Sequence, residues 1–192
     1  MTSEFMEIGI PENIKINKNF QQLRIVRKWF GIKFIFLTLF VVVWDAFLIN
    51  WYVMAFSSLS FGQNAVYLMP LLFPLIHVAF GIGLTYYTLA GYLNKTFIDV
   101  NFNSITIRHE PLPFWGVKKV SSKKVIQLYC KRDDFFNSRN IYRPFAVHAI
   151  TNERKNIKLL SGLDNSEQAL FIEQEIEKFL SIEDKPVKGE IR

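Results

Sequence analysis

The chain has 192 residues and a formal net charge of +6; 50% of its residues are apolar, 21% are charged and 16% are aromatic. One cysteine, nine glycines and seven prolines exclude a disulfide scaffold and a collagen-like chain, and nineteen phenylalanines argue against disorder. The charges are unevenly distributed, because the 61 residues from Phe34 to Asn94 contain a single formal charge, that of Asp45. An ordinary soluble enzyme would not leave such a stretch without Lys, Arg or Glu, so the sequence indicates a small integral membrane protein with a soluble part.

The N-terminal segment, residues 1–30, has its own alternation of apolar and polar residues on either side of a polar turn at 17–22. The apolar members of this alternation are Ile14, Ile16, Leu23 and Ile25. We predict a β-hairpin that joins the sheet of the C-terminal strands, because a lone hairpin is marginally stable in water. The alternative is an amphipathic helix through 20–30 at the membrane surface, with Trp29 at the level of the lipid headgroups.

Residues 31–94 are predicted to form a transmembrane hairpin with spans at 34–56 and 68–93. Each span exceeds the ~20 helical residues that cross ~30 Å of hydrocarbon. Lys and Arg flank the hairpin on both sides but are absent from the connecting loop. By the positive-inside rule, both termini are therefore expected in the cytoplasm.

Two polar side chains, Asp45 and His77, lie inside the predicted spans, about nine to eleven residues from the outer ends of their helices. At ~1.5 Å per residue, both are roughly 14 Å below the outer surface. A carboxylate at that depth needs a hydrogen-bond donor, so we predict an Asp45–His77 hydrogen bond that fixes the register of the hairpin, with Tyr52 and Trp44 as alternative donors. A proton or ion relay is the functional alternative, and it requires further polar groups along a path.

From Lys95 onward the sequence alternates with a period of two, which predicts a domain of short β-strands over 95–181 that ends in a helix. The predicted strands are 97–100, 104–108, 117–120, 125–131, 145–151 and 157–160. A turn at 101–103 makes the first two strands a hairpin, and 133–143 is predicted to be a long turn.

The end of the domain is predicted to be an amphipathic helix. Its apolar face consists of Ala169, Ile172, Ile176, Phe179 and Leu180, and its opposite side carries Glu173, Glu175 and Glu177. Either Asp164 with Glu167, or Ser166, is expected to cap its first turn. Residues 182–192 are predicted to be a flexible tail.

A run of strands closed by one amphipathic C-terminal helix is the layout of a pleckstrin-homology-like (PH-like) domain. The chain resembles a bacterial family of membrane proteins with two transmembrane helices and such a cytoplasmic domain. The resemblance is carried by IRHEPLPFWG at 107–116, QLYC at 127–130, KLLSGL at 158–163 and EQALFIEQEIE at 167–177. It implies a membrane α+β fold in the bacterial inner membrane, with a transmembrane hairpin and a small antiparallel β barrel or sandwich closed by the helix. It implies no reaction, because none is attached to that family.

The sequence shows no catalytic constellation. His77, His109 and His148 are scattered, Gly-x-x-x-x-Gly-Lys does not occur, and no nucleophile has an adjacent base. Cys130 is expected to be a packed strand residue, since no basic partner for a thiolate is identified. We therefore expect a protein that is not an enzyme, with no cofactor and no metal.

Charge is the remaining guide to function. Residues 95–158 contain 13 Lys or Arg against 5 Asp or Glu, a balance of +8, whereas 159–192 contain 4 against 8, a balance of −4. Beside an anionic leaflet, each basic residue that faces the surface contributes roughly 1 kcal/mol. The alternative is a solvated basic face that only follows the positive-inside bias. Nucleic acid is not expected as a partner, because there is no recognition motif.

These observations predict a membrane-anchored adaptor that recruits a protein partner or a second copy of itself, with anionic lipid as a secondary ligand. Aromatic and arginine side chains in one exposed turn are typical of protein interfaces. The predicted binding residues are Arg132, Phe135, Phe136, Arg139 and Arg143 in the long turn, and Lys118, Lys119, Lys123 and Lys124 for electrostatic attraction. The alternative is an accessory subunit of a transport or proton-coupled assembly that uses Asp45 and His77.

Overall fold

The computed structural model describes residues 9–57, 68–133 and 144–191. The chain divides into two compact units, with boundaries after Lys28 and after Asn94. The helical unit is Trp29–Asn94, and the β unit combines the N-terminal segment with everything from Lys95 onward. Two long apolar helices and two antiparallel sheets make the fold α+β, as the sequence predicts.

The helical unit consists of α1 (Ile32–Ser57), a short α2 (Met69–Leu72) and α3 (Leu75–Leu93). The second predicted span is interrupted before α3, because Pro74 cannot donate a backbone hydrogen bond and serves as the N-cap residue of that helix. By length and composition, Ile32–Ser57 and Met69–Leu93 are each able to cross a membrane.

The first sheet of the β unit has the strand order β1-β2-β3-β4-β5, with every pair antiparallel. Its strands are β1 (Ile14–Lys18), β2 (Gln22–Lys28), β3 (Lys95–Asn101), β4 (Ser104–Glu110) and β5 (Lys118–Ser121). The N-terminal hairpin joins the later strands through β2, which pairs with β3 along its whole length. The alternative amphipathic helix is not formed, because β2 occupies most of its residues.

The second sheet and the last helix complete the β unit. The strands β6 (Val125–Arg132), β7 (Phe145–Thr151) and β8 (Asn156–Leu163) lie in that order, and α4 (Ser166–Leu180) follows. Both sheets and α4 contribute to one apolar core, because alternate strand residues and one helix face point inward. Side chains at most 2% exposed in this core include Leu23, Ile98, Ile107, Leu128, Val147 and Ile172.

The cap of α4 differs from the prediction. The side chain of Asn165 accepts a hydrogen bond from the Gln168 backbone N–H at 2.9 Å, so Asn165 is the N-cap residue and Ser166 begins the helix. Asp164 is engaged elsewhere, because its carboxylate accepts a hydrogen bond from the buried Arg27 guanidinium at 2.8 Å.

The C-terminal segment, predicted to be a flexible tail, lies along β6. The Ile191 N–H donates to the Cys130 carbonyl at 2.9 Å, as a single antiparallel bridge. The Lys185 N–H donates to the Gln127 side-chain oxygen at 3.1 Å. The outer edge of β6 offers backbone groups that need partners, and this segment supplies some of them.

Candidate functional site

The first sheet has two ends, which differ in what they carry. The register places Lys28, Lys95 and Glu110 side by side at the end where the chain leaves for the helical unit and returns from it; we call this the connection end. The β1–β2 and β3–β4 turns lie at the other end, the turn end, where Gln22 pairs with Asn101. Six residue steps at ~3.3 Å separate the two ends by ~20 Å.

The four predicted lysines lie on two consecutive elements. Lys118 and Lys119 belong to β5, whereas Lys123 and Lys124 belong to the 3-10 turn Ser122–Lys124 that follows it at the turn end. Lys119 and Lys123 are exposed and form no ion pair within the described ranges 9–57, 68–133 and 144–191.

Lys118 and Lys124 have partners inside the protein. The Lys118 ammonium donates to the Lys158 carbonyl, and burial together with the Lys158 charge lowers the pKa of Lys118. Lys124 pairs with Glu153 at 2.7 Å, and Lys155 pairs with the same carboxylate at 2.8 Å, which lowers the pKa of Glu153 to about 2. Lys119 and Lys123 are therefore the more available cations of the predicted set.

The predicted aromatic–arginine turn is described at its two ends only. Arg132 is exposed, with its guanidinium carbon 5.3 Å from the centre of the Phe145 ring. The turn is closed at its base, because the Asp133 N–H donates to the Pro144 carbonyl at 2.8 Å. The remaining predicted residues of this turn lie outside the described residues; they are Phe135, Phe136, Arg139 and Arg143.

An apolar surface at the turn end was not predicted from the sequence. Phe102, at the tip of the β3–β4 turn, is 57% exposed and stacks on Phe179 with ring centroids 5.3 Å apart. It borders a groove of about 480 Å³ that Lys123, Ile126 and Ile182 also line. The available signal was the phenylalanine itself, which stands between two asparagines where a hairpin turn usually has polar residues or glycine.

Two glutamates assigned to the solvent side of α4 are buried instead. Carboxylate oxygens of Glu173, Glu177 and Asp184 lie within 4.8 Å of one another, close enough to share a cation. Burial and the neighbouring Glu173 charge raise the pKa of Glu177 to about 8. Burial and Glu173 also raise the pKa of the Cys130 thiol, so Cys130 is a core residue and not a poised thiolate.

Asp45 and His77 do not form the predicted hydrogen bond. One oxygen of the Asp45 carboxylate accepts a hydrogen bond from the Thr85 hydroxyl at 2.9 Å. The other oxygen lies over Gly81, where an added Cβ atom would be 3.1 Å away from it. The His77 ring stacks on Trp44 with centroids 6.0 Å apart, and its Nδ1 has no hydrogen-bond partner in the described part of the chain.

The reason for this difference is the shape of one face of α3. His77, Gly81 and Thr85 succeed one another at one-turn intervals on that face. Glycine leaves room for the carboxylate, which then reaches the hydroxyl one turn further on. The indole of Trp44 occupies the neighbouring turn, and its N–H donates to the His77 carbonyl at 3.4 Å.

The two histidines of the β unit have structural partners. His109 shares a hydrogen bond with the Thr96 hydroxyl at 3.0 Å, and His148 shares one with the Asn156 side chain at 3.1 Å. Burial lowers the pKa of both imidazoles.

No protein-family model and no curated protein matches this chain.

Proposed function

We propose that the chain is a membrane-anchored binding module. In this proposal the helical hairpin spans the bacterial inner membrane with both termini in the cytoplasm. The β unit is a PH-like domain that recruits a protein partner, and anionic lipid is its secondary ligand. The turn end, with Phe102, Lys123 and the groove between them, is the partner surface that the described residues support best.

Membrane anchoring is supported by the surface of the helices. Ile32–Ser57 and Met69–Leu93 have 26 and 25 residues, and only 17% and 11% of their most apolar windows are buried inside the protein. The core helix of a soluble protein would be mostly buried, whereas these helices present apolar side chains outward along their length. Lipid hydrocarbon is the environment in which such a surface is stable.

The observation that carries the binding role is the combination of exposed apolar groups and an available cation at the turn end. Phe20, in the β1–β2 turn, is 98% exposed, and Phe102 and Ile126 are more than half exposed. Lys123 lines the same groove as Phe102 and Ile126. A partner segment with an apolar side chain for the groove and a carboxylate for Lys123 would be complementary, since aromatic anchors carry much of the energy of protein interfaces.

The test is purification of the tagged, full-length chain from its native membrane in mild detergent. Phe102→Asp combined with Lys123→Glu is compared with wild type and with Lys15→Glu, which reverses an exposed charge on β1. We expect a stoichiometric protein that is retained by wild type and Lys15→Glu and lost from the double variant. If the same protein remains bound to the double variant, the turn end is not the partner surface. Replacing 134–143 by a Gly/Ser loop then tests the predicted aromatic–arginine turn.

The alternative is an accessory subunit of a transport or proton-coupled assembly, and the Asp45–Thr85 hydrogen bond inside the hairpin is the observation in its favour. Asp45→Asn keeps a hydrogen-bond acceptor but removes the ionisable group. This alternative predicts that Asp45→Asn abolishes the cellular phenotype of the protein while Thr85→Ser preserves it. The adaptor proposal predicts that both variants behave as wild type.

A further inference from the structure

The loop between β4 and β5, residues 111–117, presents two apolar side chains to solvent at the connection end of the sheet. Trp115 is 87% exposed and Val117 is 62% exposed. Tryptophan has the largest side chain, and a folded domain normally buries most of the surface of a tryptophan that has no binding role. Neither residue belongs to the turn-end surface, which lies at the opposite end of the same sheet.

The exposure of Trp115 is built into the loop. Gly116 has φ +99°, a left-handed conformation that favours glycine, and an added Cβ atom there would be 3.1 Å from the His109 ring. The His109 imidazole hydrogen-bonds both the Thr96 hydroxyl and the backbone of Trp115. Phe114 packs edge-on to His109 at 6.5 Å and lies 5.3 Å from the Trp115 ring, so the loop is fixed with Phe114 inward and Trp115 outward.

Two exposed lysines, Lys28 and Lys95, lie at the same end of the sheet as the loop. The last residue of β4, Glu110, is beside Lys95, which is beside Lys28. Lys28 and Lys95 are exposed and have no ion pair in the portions of the chain that are described, whereas the Glu110 carboxylate is already paired with Arg108. The connection end therefore carries two available cations and an exposed indole.

The sequence next to these cations is the predicted membrane span itself. Only Asn94 separates the end of α3 from Lys95, and only three residues separate Lys28 from the start of α1. Tryptophan and lysine directly beyond the apolar part of a span are the residues found at the headgroup level of a bilayer.

We propose that loop 111–117 is a membrane-docking element. Trp115 and Val117 enter the headgroup region of the leaflet that holds the hairpin, and Lys28 and Lys95 contact anionic lipid phosphates. The inference rests on the proposed membrane anchoring and adds a third attachment to the two chain connections.

The experiment measures the depth of single fluorescent labels in the full-length chain, reconstituted in vesicles of phosphatidylethanolamine and phosphatidylglycerol. A thiol-reactive dye is attached at Trp115→Cys, at Phe20→Cys on the turn end, or at Leu39→Cys within α1. Cys130 is retained, because at 1% exposure it does not react in the folded protein. Quenching by lipids that carry a nitroxide in the headgroup or along the acyl chain reports the depth of each label.

We expect the label at position 115 to be quenched severalfold more strongly than the label at position 20, with headgroup nitroxides the more effective. The label at position 39 should be quenched by acyl-chain nitroxides and tests the anchoring alone. If positions 115 and 20 are equally unquenched while 39 is quenched, the docking inference is wrong and the anchoring stands. If 39 is also unquenched, the anchoring itself fails. A label at 115 that is shielded from water but not quenched by lipid would indicate a protein contact, and would also overturn the inference.

A second measurement guards against an effect of replacing the tryptophan. Trp115 is kept and the other three tryptophans, Trp29, Trp44 and Trp51, are changed to Phe, so that brominated lipids quench one indole only. We expect quenching that decreases when Lys28→Gln and Lys95→Gln are added and that persists with Lys15→Gln. Unquenched Trp115 fluorescence would overturn the inference independently of the labels.

Discussion

Replacing Glu177 by Gln should remove a pH dependence from the stability of the β unit. Glu177 is 5% exposed, and Glu173, Asp184 and Glu190 add negative charge around it. Its main compensating contact is the Leu128 backbone N–H, which donates to Oε1 at 3.3 Å. Glutamine keeps that acceptor and the shape of the side chain but carries no charge at any pH.

The sign follows from the two states of the carboxyl group. Its pKa is about 8 in the folded protein against an ordinary value of 4.5, so between these values the folded state binds more protons than the unfolded state. The free energy of unfolding therefore falls as the pH rises through this interval and levels off above pH 8. Converted to free energy, this difference in pKa corresponds to about 5 kcal/mol. That value is an upper limit, because relaxation of the C-terminal segment lets water reach the charged group.

The assay uses Cys130, which is buried in β6 and becomes reactive when the β unit unfolds. The full-length protein in micelles is titrated with denaturant, and the unfolded fraction is read from a short pulse of a pyridyl disulfide reagent. Wild type and Glu177→Gln are compared at each pH, so that other titrating groups cancel. We expect Glu177→Gln to gain up to about 4 kcal/mol over wild type between pH 5 and pH 9.

The matched control is Glu175→Gln, which removes a carboxylate of the same helix that lies outside the buried cluster and pairs loosely with Lys18 and Lys178 at 3.9 Å. Its difference from wild type should not change with pH. If the difference between wild type and Glu177→Gln is also constant from pH 5 to pH 9, the carboxyl group does not change its protonation in this range, and the reasoning is refuted.

Two further substitutions test the packing of each unit, each with a matched control. Gly91→Ala should destabilise the helical hairpin by about 1–3 kcal/mol in a thermal unfolding measurement, because an added Cβ atom would be 2.0 Å from the Phe34 ring. Gly83→Ala is the control and should match wild type, since an added Cβ atom there meets nothing within 4 Å. Equal effects of the two substitutions would contradict this packing. Asn165→Ala should lower the unfolding free energy of the β unit by about 1 kcal/mol through loss of the α4 cap; Ser166→Ala should have little effect, and the reverse order would show that Ser166 is the cap.

The strands and helices could be predicted from the sequence because local patterns determine them. Alternation places β7 and the start of β6 at the residues observed, and the same rule identifies the N-terminal hairpin. Alternation does not determine how the sheets meet. The 3-10 turn Ser122–Lys124 separates β5 from β6, so that Lys119 and Lys123 belong to different elements although only three residues separate them. Charge counted along the chain also does not show which lysines are already paired, as Lys118 is with the Lys158 carbonyl and Lys124 is with Glu153.

The buried acids of α4 could not be placed from the sequence for a related reason. Glu173 and Glu177 lie at the edge of the apolar face, and only the position of β6 decides whether that edge is solvated. The strand approaches so closely that the Leu128 N–H, in place of water, contacts Glu177. A helical periodicity identifies the centre of the buried face, but the width of that face depends on the neighbouring element.

The polar contacts inside the helical unit could not be predicted from the sequence either. Counting residues from the helix ends gives the depth of Asp45 and of His77, and equal depth suggested that they meet. Depth leaves the rotation of each helix undetermined. Here Gly81 lets the Asp45 carboxylate and the Trp44 indole pack closely against α3, because an added Cβ atom would be 3.1 Å from the carboxylate and 3.2 Å from the indole. Asp45 then reaches Thr85, and His77 remains beside Trp44. In a helical hairpin, the smallest residues of one helix are therefore the better guide to the polar contacts of the other.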